Sequence, residues 1–230
     1  MKKLFTIWFA LMAFALCAWP EETNILLRTD IPRPPFMSQL ISYNIPNLDP
    51  DKNWRHLPQL YVPVGTMNLA LHKPVSASCP ATVGSLDMVT DGDKAADDWL
   101  ELKPGAQWVQ IDLQQEAEIH GIWVWHYFEQ YRVYFSVVAA ISNDPEFKQD
   151  VKVVFNNDTN NVVGLGKGSD YNYYDTNFGR LIDAKGIKGR YVRLYSDGNN
   201  ENKMNHYVEV EVFGLKANEA SPPSPSREKQ

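Results

Sequence analysis

Cysteine is nearly missing from this 230-residue chain, which carries two, Cys17 and Cys79. No Cys-x-x-Cys pair occurs, so thiolate zinc sites and thioredoxin-type redox chemistry are excluded. Basic residues are also in deficit, 22 against 28 acidic ones, for a net charge of −6. An acidic surface repels phosphate backbones and anionic headgroups, which argues against nucleic acid and anionic membranes as partners. No stretch sustains a 3.6-residue apolar period, so long amphipathic helices are not expected. Nucleophile and metalloprotease signatures are missing as well: there is no Gly-x-Ser-x-Gly and no His-Glu-x-x-His.

What is present begins with an export pattern. Lys2 and Lys3 precede an uncharged run from Leu4 to Leu16, and Ala13, Ala15 and Ala18 supply small residues near a cleavage point. The run is too short to span a bilayer. Residues 1–18 are therefore expected to be a signal peptide, and the protein to be secreted or periplasmic, with no membrane insertion after cleavage. Cys17 offers a lipid anchor as a further option, but the bulky Leu16 before it fits a lipobox poorly. Cleavage removes two lysines and no acid, moves the net charge to −8 and leaves Cys79 alone, so no intrachain disulfide can form. Cys79 is expected as a small buried hydrophobe.

Residues 19–66 are rich in proline, asparagine and aspartate, with Ile-Pro-Arg-Pro-Pro at 31–35. Proline blocks helices and removes backbone donors, so the segment should be extended and irregular. Leu40, Ile41, Trp54, Leu57, Leu60 and Tyr61 make it an arm laid over the main domain rather than a free linker. The end of the chain, 216–230, has the composition of a disordered tail.

Residues 67–215 read as punctuated β structure. Trp108–Leu113 alternates, with Val109, Ile111 and Leu113 on one face. Ile119–His126 is a nearly continuous apolar run, as in a more deeply buried strand. Phe135–Ser142, Val151–Phe155, Arg190–Tyr195 and Tyr207–Phe213 complete the set, separated by Asn/Asp/Gly turns. Asn156–Lys185 reads as one long irregular loop, with Gly164, Gly166 and Gly168 permitting tight turns rather than cradling phosphate. Many short strands with long loops predict an all-β, antiparallel jelly-roll sandwich.

Five segments, in order, resemble the discoidin or coagulation factor V/VIII type C domains, a galactose-binding-like family that includes bacterial carbohydrate-binding modules. Asn68–Val75 looks like the opening strand, Val89–Asp93 the first turn, Trp108–Leu113 the central strand, Gly189–Tyr195 a late strand and Val208–Gly214 the closing one. The resemblance covers about two-thirds of the chain and leaves out the arm. It implies an eight-stranded jelly roll and a non-catalytic, lectin-like protein whose partner is a glycan or polysaccharide. The alternative is a protein-interaction or cell-surface structural domain that uses the same sandwich and the arm.

The resemblance also implies two sites. The turn Asp91-Gly92-Asp93, with Glu209 on the last strand and the backbone carbonyls of Met88 and Val208, would form a structural calcium site, since calcium takes six to eight hard oxygens. The sequence departs from the family after this turn, and Asp97 stands as the replacement for a threonine ligand; the other reading is a solvated acidic turn. The ligand face would use His126, Tyr127, Glu129 and Arg132 after the strand Ile119–His126, with Trp99 and Glu101 on a neighbouring loop. Tyr127 or Phe128 would stack on a sugar ring, and the polar groups would take adjacent hydroxyls. The alternative is that these aromatics seal a sandwich end, with His126 a core histidine and Glu129–Arg132 a surface ion pair. A hydrolase would need a carboxylate pair across a cleft, and no motif selects one.

Overall fold

A computed structural model describes residues 23–34 and 44–216. Residues 1–18, expected as a signal peptide, with Cys17, Leu40, Ile41 and the tail beyond Lys216, lie outside the described residues. Eleven strands and two short 3₁₀ turns make up the described chain. They are β1 (Asn24–Leu26), β2 (Tyr61–Pro63), β3 (Met67–Asn68), β4 (Val75–Ala77), β5 (Leu100–Leu102), β6 (Gln107–Trp125), β7 (Val138–Ser142), β8 (Lys152–Asn156), β9 (Arg180–Ser196), β10 (Asn205–Tyr207) and β11 (Glu209–Lys216).

All strand pairs are antiparallel, and the main sheet runs β3-β11-β6-β9-β7-β8 with β4 also on β6. The first and last segments of the family-like region do meet: Asn68 pairs with Phe213 and Met67 with Gly214. The segments read as Trp108–Leu113 and Ile119–His126 form a single 19-residue strand. Its register against β9 shifts between Asp112 and Ala117, where Gln114 takes a positive φ of 67°. The first half of β6 pairs with β4 and the end of β9; the second half pairs with β11 and the start of β9. Both long strands thus bend from one layer of the sandwich to the other, which is how so few long strands close a two-layer shell.

Three expectations change. The irregular stretch ends at Gly179, because Arg180–Lys185 belong to β9, pairing with the second half of β6. Their mixed composition (Arg-Leu-Ile-Asp-Ala-Lys) conceals a strand whose alternate residues Ile182 and Ala184 are buried. The opening segment 68–75 is mostly turn, with Asn68 paired to β11 at one end and Val75 paired to β6 at the other. Cys79 is half-buried against the core rather than fully inside it.

The core explains the sequence pattern of β6. Val109, Ile111, Ile119, Ile122 and Val124 face the space between the layers. Trp123 and Trp125 point to the opposite face, where a second apolar cluster holds Leu27 and Val62 from the arm with Phe128, Val208 and Phe213. That half of β6 is buried on both sides, hence its unbroken apolar run. The arm is pinned further along as well. Asp49 N–H donates to Asn172 O, and Trp54 meets Tyr174 edge-on at 5.1 Å.

Candidate functional site

The loop that leaves β6 sends its residues in different directions. His126 is fully buried: its ring stacks on Tyr134 at 4.4 Å and Nδ1 lies 3.1 Å from Asp175 Oδ1. Phe128 is buried in the cluster beneath the arm. Neither side chain reaches solvent, so the ligand role expected for His126 and the stacking role offered to Phe128 are corrected to core roles. An inward-pointing residue at the strand end continues the alternation of β6, which brings His126 under the sheet and leaves Tyr127 above it.

Tyr127 is half-exposed and becomes the centre of a cluster. Trp99 meets it edge-on at 4.7 Å, and the Arg132 guanidinium lies over its ring at 4.7 Å. Arg132, 9% exposed, donates to Gln130 Oε1 at 2.9 Å and approaches His206 Nδ1 at 3.3 Å. His206 joins β10 to β5. Its Nδ1 faces the Tyr134 hydroxyl at 2.9 Å as well, so it accepts, and Nε2 donates its proton to Glu101 Oε2 at 3.1 Å. Burial, then the Arg132 charge, push the His206 pKa down to about 4, against the pull of Glu101. The imidazole is therefore neutral at neutral pH and serves as a fixed bridge. Glu101 is held from the other side by Thr82 Oγ1, which donates to its Oε1 at 2.8 Å. Tyr134 was not singled out from the sequence, where Asn205-His206 reads as either a loop anchor or a ligand contact. Asn205-His206 before the last strand was a visible signal, but only the β5–β10 pairing sets His206 opposite Glu101.

Glu129 does not pair with Arg132. The arm supplies its partner, Arg33, whose guanidinium lies 3.1 Å from Glu129 Oε1 and 2.9 Å from Asp97 Oδ1. Asp97 is largely exposed and tied to the arm in this way, so it is not among the residues that line the cavity at the calcium-type turn. That cavity, about 60 Å³, is lined by Met88, Asp91, Asp93, Ala95, Asp98 and Val208. Asp98 stands there in place of Asp97.

At this turn Gly92 has φ 91°, and its N–H donates to Glu209 Oε2 at 3.2 Å across 117 residues of sequence. Glu209 is fully buried, and its Oε1 has no hydrogen-bond partner among the described residues. Burial is the main cause that pushes its pKa up to about 9; Glu211 and Asp91 add to the rise, while the Gly92 N–H and Lys94 oppose it. Two residues on, Glu211 pairs with Lys94 Nζ at 2.9 Å and accepts from Thr29 Oγ1 of the arm at 3.0 Å. Glu211 was not singled out from sequence, though the period-2 spacing from Glu209 sets both on one face of β11. No three Asp, Glu, His or Cys side chains converge on one point among the described residues. A cation here would need backbone carbonyls to complete its shell. Glu209 is not among the residues that line the cavity at Asp91 and Asp93, and its unpartnered, fully buried carboxylate oxygen is the feature here that a hard cation would relieve.

No protein-family model and no curated protein matches the sequence. Solved structures do share the fold. The family 89 glycoside hydrolase of Clostridium perfringens, in complex with GlcNAc-alpha-1,4-galactose, superposes with a TM-score of 0.50 and 17% identity. The match covers 68% of this chain and 16% of that one, so it reaches only a small part of the enzyme. The CBM32 of AlyQ, in complex with 4,5-unsaturated mannuronic acid, aligns over 61% of this chain and 93% of its own length, with 20% identity and a TM-score of 0.46. A chitosan-binding module from a chitosanase/glucanase of Paenibacillus sp. IK-5 covers 64% and 99%, with 18% identity and a TM-score of 0.48. The chain has the galactose-binding-like, discoidin-like β-sandwich fold. No helix among the described residues is long and apolar enough to cross a membrane.

Proposed function

We infer that this chain is a non-catalytic carbohydrate-binding domain of an exported protein, and that it holds its glycan at the Trp99–Tyr127–Arg132 cluster. One observation carries the reading. Two separate segments bring a half-exposed aromatic pair, a guanidinium and the Glu101 carboxylate together, braced by Tyr134 and by His206 of a third. Sugar rings ask for that combination: a flat apolar surface for C–H contact and charged hydrogen-bonding groups for hydroxyls. Rigid bracing lowers the ordering cost of binding. Glu129 and Gln130 stand at the rim, with Glu129 bridged to Arg33 of the arm.

Calcium belongs to the same proposal as a structural ion. Asp91, Asp93 and Glu209 would hold it, with the Met88 and Val208 carbonyls. It would supply the positive charge that keeps the buried Glu209 ionised and so tie the first turn to the last strand.

Glycan-array screening of the mature chain tests the binding reading. Saturable binding that Tyr127→Ala weakens about tenfold or more, with the fold intact, is the expected result. A silent array, or binding indifferent to Tyr127→Ala and Arg132→Lys, overturns it. For the ion, calcium is expected to raise the melting temperature of the wild type and not of Asp91→Ala.

A further inference from the structure

The arm and the sandwich enclose a second cavity of about 220 Å³. Trp54, His56 and Gln59 border it from the arm, and Tyr173, Gly179 and Arg180 from the sandwich. It shares no residue with the Tyr127 cluster or with the turn at Asp91.

Arg180 sets its chemistry. The guanidinium lies 5.1 Å from the Phe155 ring and 5.0 Å from the Tyr173 ring. The aromatic faces hold the cation in place. Among the described residues Arg180 forms no ion pair, and its Nε is buried without a hydrogen-bond partner. Two more donors at this cavity's walls are in the same state. Trp54 Nε1 and Tyr173 Oη are both buried and unpartnered, in side chains 6% and 3% exposed. Burial holds the Tyr173 hydroxyl well above its ordinary range, so it keeps its proton. A second guanidinium, that of Arg55, stands 4.9 Å over the Trp54 ring. Among the described residues no aspartate or glutamate lines the cavity, in a chain whose net charge is −6.

Native structures rarely leave buried donors unpaired. Three unpaired donors of one polarity at an acid-free cavity call for an acceptor that carries negative charge. We propose that this cavity is a binding site for a small oxyanion, a carboxylate or phosphate-like group, gripped by the Arg180 fork. Leu57, Pro58 and Leu181 give its walls an apolar side. The ligand is therefore an anionic group on a compact body, and the volume admits one such unit. A carboxylated sugar and a free phosphate share this chemistry. Because half of the wall is arm, the site exists only when the arm is seated.

The experiment is a chemical-shift or calorimetric titration of the full mature chain. Galacturonate and inorganic phosphate serve as probes, with galactose as the uncharged control. Binding of at least one anion is expected, weakened about tenfold or more by Arg180→Gln and less by Tyr173→Phe. Tyr127→Ala should leave it unchanged, which separates this site from the proposed glycan cluster. Whichever anion binds identifies the source of the group. Arg180→Lys, which keeps the charge and loses the fork, provides the reading should Arg180→Gln fail to fold. Absence of binding by both anions overturns the proposal. So does galactose binding that Arg180→Gln weakens as much as anion binding, or anion binding that Arg180→Gln and Arg180→Lys leave intact.

Discussion

Gly121 sits in the middle of β6, opposite Phe213 on β11 and Asp183 on β9, and faces the arm. A Cβ at this position would lie 3.2 Å from Leu27 Cδ2, 3.3 Å from Leu60 Cδ2 and 3.5 Å from Leu181 Cδ1. Its backbone is not left-handed, so a side chain adds no backbone strain, and valine suits a strand. Gly121→Val therefore perturbs one thing, the seat of the arm. The first two contacts are the far ends of flexible leucines, which a single methyl would displace slightly. Two further methyl groups would have to occupy space already filled by Leu27 and Leu60. The molecule then has two routes. Overpacking the contact costs about 1–3 kcal/mol. Lifting the arm returns Leu27 and Val62, now 6% and 2% exposed, to water at about 1.5–3 kcal/mol each. The first is the smaller loss, so denaturant unfolding should show a decrease of about 1–3 kcal/mol. The arm should also open more often. Trypsin would then cut faster at the exposed Arg28, and the buried Trp123 and Trp125 would report a shift of emission to longer wavelength. A Gly121→Val protein with wild-type stability, proteolysis pattern and emission would refute the packing described for the arm.

Three further outcomes are expected. Gly179 has φ 63°, and a Cβ there would meet the Trp125 ring at 2.6 Å, so Gly179→Ala should lower stability by roughly 1–3 kcal/mol, measured by thermal and chemical melts. In calcium-free protein Glu209, raised to about 9, favours folding while protonated. That contribution is complete below the unfolded carboxyl range and is lost as pH rises toward 9, so Glu209→Gln should flatten the decline of stability between about pH 5 and pH 9. Arg190 binds Asp112 through two hydrogen bonds of 2.7 and 2.9 Å and holds its carboxyl below the usual range. Stability from this pair is present above the unfolded aspartate pKa and lost as pH falls through the lowered one. Because both groups are partly exposed, solvent screens the pair, and a double-mutant cycle should give a small coupling that added salt weakens further.

Local pattern and global placement contributed differently to this protein. Alternation in Val109–Leu113 and the turn residues at 143–145 and 197–200 are properties of adjacent residues, and they identify the strands because a half-buried strand imposes period 2 wherever it lies. The order of five family-like segments likewise announced the sandwich. Period 2 is silent where both faces are covered. The run Ile119–His126 announced burial without saying that its outer face belongs to the arm. It also did not say that Tyr127 is the side chain left half-exposed while His126 goes inside.

Amino-acid order alone determined an acidic chain with an export-like start, almost no cysteine, an all-β domain and a carboxylate-bearing turn to be matched with a late glutamate. Only the tertiary structure decided which carboxylate is buried, that Arg33 of the arm takes Glu129, that His206 bridges Arg132 and Glu101, and that Arg180 is left without an anion. Those are distances between segments up to about a hundred residues or more apart. Charge, burial and solvation act through such distances, and no neighbouring residue in the chain encodes them.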